Sequence, residues 1–138
     1  MPIRRAYRQP QAGAQGFART KKVLGGAYSI LASDVVAGGQ VAICMVPKDF
    51  VVQSISGTFP DLDTGATLTV SVGDGSSNNR LVNASNAAQT GAAVPAIIAG
   101  AVGYQFPADT EILLTFPAGP AGAQAGNGTF WMEGYIAP

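Results

Sequence analysis

Thr67-Leu68-Thr69-Val70-Ser71-Val72 alternates strictly between hydroxyl-bearing and apolar side chains. In extended backbone, successive side chains point to opposite faces. Leu68, Val70 and Val72 therefore share one face and the hydroxyls share the other, the pattern of a half-buried β-strand. Outward from this stretch the chain continues as short apolar runs separated by turn chemistry. Strands are expected over residues 28–37, 40–46 and 50–59 upstream, and over 81–83, 96–102, 110–116 and 128–136 downstream. Gly38-Gly39, Pro47-Lys48-Asp49, residues 60–65, Gly73-Asp74-Gly75 and residues 117–128 supply the turns between them. Eight short strands at this spacing predict an all-β fold, a jelly roll or β-sandwich of antiparallel strands. A helical turn or two is expected only near residues 83–89, stopped by Gly91.

The chain has 138 residues, which suits one domain able to bury its own core without metals or disulfides. Charge is unevenly distributed along it. Arg4, Arg5, Arg8, Arg19, Lys21 and Lys22 are six of the eight basic residues, and all eight acids come at or after Asp34. Residues 1–27 thus carry +6 and residues 28–138 carry 2 − 8 = −6. The first segment holds few large apolar residues, without period, and reads as an extended basic arm joined to a β domain over 28–138. Such an arm suits an acidic protein surface or a phosphate backbone, and the six bases are candidate partner-binding residues. Charged residues are 12% of the chain, about half the ~25% usual in soluble domains, as expected of a surface largely covered by partners.

Both faces of the last strand are apolar: Phe130, Met132 and Ile136 on one, Trp131 and Tyr135 flanking Glu133 on the other. One face belongs to the core. The other is expected to be covered, either by the chain's own loops and arm or by a second subunit, which makes Trp131 and Tyr135 candidates for a subunit face. Two-fold pairing is the default oligomer.

The chain has no histidine, which removes the commonest general base, the usual hydrolase triads and most zinc centres. Leu62-Asp63-Thr64-Gly65-Ala66 matches the short signature of dimeric aspartic proteases, but Pro60-Asp61 precedes it where that pattern wants large apolar residues. The triplet is read instead as a turn, with Asp63 accepting from the backbone and Gly65 supplying a positive φ. Asp74-Gly75-Ser76-Ser77-Asn78-Asn79 spaces oxygen ligands as a calcium loop does, yet lacks the late bidentate Glu. Arg80 is expected to pin this loop through a charge-assisted hydrogen bond. Cys44, the one cysteine, sits in an apolar run and is expected to be a buried free thiol. No secretion signal or membrane-spanning run is indicated, and neither catalysis, a cofactor nor a metal is expected.

Met45-Val46-Pro47-Lys48-Asp49-Phe50-Val51-Val52, Phe59-Pro60-Asp61-Leu62-Asp63-Thr64-Gly65, Leu68-Thr69-Val70-Ser71-Val72-Gly73-Asp74-Gly75 and Asn79-Arg80-Leu81-Val82 follow one another in this order. The succession resembles small virion proteins of tailed bacteriophages, in particular the cement or decoration proteins of short-tailed phages such as the one infecting Bordetella. The likeness covers about residues 41–83, with weaker agreement in the last strand. It implies a jelly-roll domain, made in the host cytoplasm, that binds outside an icosahedral head and ties neighbouring major capsid subunits together, with no catalytic residues. A small jelly-roll coat protein whose basic arm binds nucleic acid is the alternative, distinguished by salt-sensitive RNA binding through the arm. For the cement reading, nucleic acid is not the expected partner.

Overall fold

A computed structural model describes residues 3–7 and 21–138. Eight strands are present among them: β1 (Arg4–Arg5), β2 (Lys21–Ile30), β3 (Gln40–Val46), β4 (Phe50–Thr58), β5 (Thr69–Gly73), β6 (Val82–Ser85), β7 (Thr110–Ala118) and β8 (Gly126–Ile136). They form two sheets, ordered β1-β3-β7-β5-β6 and β2-β8-β4, and every neighbouring pair is antiparallel except β1 beside β3. The fold is the all-β sandwich that the alternation of β5 predicts. Among the described residues the only helical pieces are three single 3-10 turns, so no helix is long and apolar enough to cross a membrane.

Alternation builds the core. Leu68, Val70 and Val72 are fully buried, as are Ile112 and Leu114 of β7 and Phe130 and Met132 of β8. Phe50, Phe59, Phe106, Phe116 and Phe130 belong to the same buried cluster, and each contributes about 1.5–3 kcal/mol by leaving water. β8 lies at the centre of the smaller sheet and is held along ten residue pairs by β2 and eight by β4. Gly25 and Gly57 flank it at φ +125° and +134°, where any Cβ would collide with the carbonyl oxygens of Phe130 and Thr129 respectively. Only glycine lets these two strands approach β8 in that conformation.

Two strand expectations differ from the structure. The first large strand runs over Lys21–Ile30 rather than 28–37, after which Ala32–Asp34 makes a 3-10 turn. Leu24, Tyr28 and Ile30 face the core with Gly26 between them, and that glycine breaks the apolar alternation a reader looks for. β2 therefore runs straight through the arm–domain division placed at 27/28, and β1 lies in the part assigned to the arm. Residues 96–102 form a loop with a 3-10 turn at Ala99–Ala101 instead of a strand. Gly103 turns the chain at φ +88°, and the backbone just beyond the segment serves the edge of β4: Gly103 N–H donates to Val52 O and Val52 N–H to Tyr104 O. The turn expected near 83–89 appears as a 3-10 turn at Ala87–Gln89, with Gly91 at φ +73° beyond it.

Candidate partner-binding surfaces

The bases of the N-terminal segment meet acids of the domain. Arg4 donates from Nε to both oxygens of Asp34 at 3.1–3.2 Å and from Nη2 to Oδ2 at 2.6 Å and to Ser29 O at 2.8 Å. Asp34 also accepts from Leu31 N–H at 2.8 Å. Burial opposes ionisation of this carboxyl, but the Arg4 hydrogen bonds, the Leu31 amide and the Arg4 charge together hold it below its ordinary range. Arg5 grips Glu111 with both prongs of its guanidinium, at 2.6 and 2.9 Å, and the Tyr7 hydroxyl donates to the same carboxylate at 3.1 Å. Lys21 pairs with Glu133 at 3.1 Å, where Ser54 also donates. Lys22 is half-buried and engaged as well. Arg8 and Arg19 lie outside the described residues.

Between these side chains the backbone of residues 3–7 closes one edge of the sandwich. Ala6 N–H donates to Ala42 O on β3, Ser29 N–H of β2 donates to Ala6 O, and Tyr7 bridges to Tyr28. The segment is thus a short strap joining the two sheets. Sequence alone could not reveal it, since the acids that hold Arg4 and Arg5 lie 30 and 106 residues away.

The outer face of the smaller sheet carries Trp131, 39% exposed, and Val23, 54% exposed, with half-buried Tyr135 further along β8. Trp131 sits opposite Gly25 and Ser56, both small, whereas Tyr135 sits opposite Val51 and the charged Lys21. A shallow depression lined by Lys21, Gln53, Glu133 and Tyr135 lies beside them. The face expected to be covered is open to solvent at Trp131 and Val23.

The two carboxylate motifs are internal bolts. Asp63 is 2% exposed and accepts from five backbone N–H groups, those of Gly65, Thr67, Leu68, Ala121 and Gly122, at 2.9–3.1 Å. Burial alone would raise its pKa; the amides of Gly122, Gly65, Thr67 and Leu68 overcome that and drive it well below the carboxylate range. A carboxylate so committed cannot share a proton with a second aspartate. Gly65 is needed here for close packing, since a Cβ would come 2.5 Å from that of Ala121, and not for a positive φ. Asp74 accepts from Ser76 and Ser77 through one oxygen and from Arg80 Nε at 2.7 Å through the other. Arg80 thus pins the loop as expected, with its guanidinium stacked 3.9 Å above the Tyr104 ring. No cluster of potential metal ligands occurs among the described residues.

No family model matches the sequence, and neither does any curated protein. The fold is similar to that of solved structures from phages. A chain of the cyanophage Pam1 capsid asymmetric unit superposes with a TM-score of 0.75 at 24% identity, covering 94% of this chain and 94% of that one. A chain of the capsid of Ralstonia phage GP4 superposes with a TM-score of 0.74 at 24% identity, covering 94% of this chain and 92% of that one.

Proposed function

We propose that this chain is a non-enzymatic structural protein of a phage virion, which binds the outside of an icosahedral head and cements neighbouring major capsid subunits. The observation that carries the reading is the fold likeness over 94% of the chain to chains of two phage capsids. A lightly charged domain with an open aromatic face adds support, because such a surface suits permanent cover by other proteins. Trp131 and Tyr135, with Val23 beside them, form the docking or subunit face of a homo-oligomer, a dimer by default. Arg8 and Arg19 reach acidic patches on the shell. Arg4, Arg5 and Lys21 act mainly within the fold, since their charges are already met by Asp34, Glu111 and Glu133.

The test adds purified protein to emptied phage heads lacking it and follows their rupture temperature. Wild type is expected to raise that temperature, and Trp131→Asp to weaken the effect. Trp131 is the only tryptophan, so its emission should shift to the blue as protein docks. Unchanged rupture with unchanged emission would overturn cementing, and a salt-sensitive gel shift with nonspecific RNA would favour the coat-protein alternative.

A further inference from the structure

The groove between β2 and β3 is a strand-binding site, and its occupant is the short segment 3–7. On one wall β3 presents Val41, Ala42 and Ile43, each at most 1% exposed, and the Ala42 carbonyl; on the other β2 presents the Ser29 amide and carbonyl. Asp34 and Glu111 stand at its rim and each receives one arginine. An empty groove would leave the edge of β3 unpaired and uncover part of the core, so something of this shape must fill it.

What fills it is held almost wholly by groups that an identical strand could supply. Apart from Ala6, which packs against the core, the segment buries little apolar surface, and Ile3 remains 36% exposed. Its hold consists of backbone hydrogen bonds, two arginine–carboxylate pairs and the Tyr7 hydroxyl. Nothing in that set distinguishes the chain's own strand from a neighbour's.

The connection permits both. Tyr7 lies opposite Tyr28, and Lys21 lies seven positions back along the same strand, a separation of about 24 Å. The thirteen residues from 8 to 20 can reach roughly 45 Å when extended. We propose that residues 3–7 are exchanged between copies of this chain, the Arg4-Arg5-Ala6-Tyr7 strand of one copy filling the β2–β3 groove of the next. A connection of this length keeps the chain's own strand at an effective concentration on the order of millimolar, so it fills the groove in dilute solution. Copies crowded together offer neighbouring strands at similar concentration, and exchange then links them without any new type of contact. The inference rests on the head reading only for the setting in which crowding occurs.

The test uses full-length Arg5→Lys, which keeps the charge and provides an amine that carbodiimide can couple directly to Glu111. Protein labelled with 14N and with 15N is mixed in equal parts and cross-linked under three conditions: dilute, concentrated to about millimolar, and bound to heads. In the dilute sample the Glu111 cross-link should join same-isotope peptides. In the concentrated and head-bound samples mixed-isotope pairs should rise toward half of the total. In parallel, unsubstituted protein of the two isotopic forms is concentrated and weighed by native mass spectrometry, with Arg4→Ala and Arg5→Ala as comparisons. Mixed-mass dimers that either arginine substitution suppresses support exchange. Same-isotope cross-links under every condition, or unsubstituted protein that stays monomeric or forms dimers indifferent to both substitutions, would overturn it. Mixed pairs in concentrated solution from protein that never binds heads would sink the head reading and leave exchange standing.

Discussion

Removing one oxygen from the core should stabilise this protein. Tyr28 points inward from β2, is 2% exposed, and its hydroxyl has no hydrogen-bond partner among the described residues. Burial pushes the phenol above its ordinary pKa, so the group is neutral and contributes no charge. Leaving water without a partner costs a hydroxyl about 1–3 kcal/mol, which the folded state bears and the unfolded chain does not. Tyr28→Phe keeps the ring and removes that cost. The void left behind is at most about 20 Å³, worth roughly 0.5 kcal/mol against the gain, so the net expectation is about 1–2 kcal/mol of added stability. With an unfolding entropy near 0.3 kcal/mol/K for a chain of this size, Tm should rise by about 3–7 °C. Calorimetry gives the shift, and urea unfolding at unchanged m-value shows whether it arises in the native state. Most substitutions of buried residues destabilise, so the sign alone is discriminating. A fall in Tm of more than about 2 °C at constant m would mean that the hydroxyl has a partner in the folded protein, and the reasoning would fail.

Acid unfolding should begin as pH falls below the ordinary aspartate pKa of about 3.9, because Asp63, Asp34 and Asp74 all have depressed folded-state values. The stability they confer is complete above that pH and is lost as they protonate; Asp63→Asn, followed by circular dichroism from pH 7 to pH 2, should start less stable and lose less on acidification. Cys44 is fully buried and its thiol is pushed up to about 12, so a thiol reagent at about pH 8 should leave the native protein unmodified and react at once in denaturant; rapid native labelling would contradict that packing. Arg80→Ala strips Asp74, whose side chain is 4% exposed, of its only cationic partner among the described residues, while Arg80 itself is 21% exposed; the expected cost is about 1–2 kcal/mol in urea, and no loss would show that the Ser76 and Ser77 donors suffice.

The legible parts of the fold were those carried by alternating or continuous runs of apolar side chains. β3, β4, β7 and β8 fall within two residues of their expected spans because Val41, Phe50, Ile112 and Phe130 belong to unbroken apolar patterns. β2 was misplaced because its inward positions include Gly26, which packs as backbone and leaves no apolar mark. Residues 96–102 look like a strand by composition, yet Ala99–Ala101 coils into a 3-10 turn, and it is Gly103 and Tyr104 just beyond it that hydrogen-bond to Val52 on the edge of β4. The motifs were legible where both partners are close in the chain, as Asp74 and Arg80 are. β1 was invisible: two residues carry no period, and the groove that holds them is assembled from β2, β3 and β7.

The separation of charge along the sequence invites an external partner, but physical proximity favours an internal one first. An arginine already tethered to the domain meets its carboxylate at a local concentration that few free partners match. The outcome is visible at every acid: Asp34, Glu111 and Glu133 meet N-terminal bases, Asp74 meets Arg80, Asp63 meets backbone amides, and Asp49, Asp61 and Asp109 accept from Gln105, Gln124 and the Lys48 amide. All eight carboxylates thus accept hydrogen bonds from within the chain. A partner that bound by pulling those charges away would have to break contacts before making its own. Several exposed large side chains are apolar and have no such polar tie, Val23 and Trp131 among those of the smaller sheet. Contact there is governed by shape and desolvation rather than by charge, so recognition through this face changes little with ionic strength.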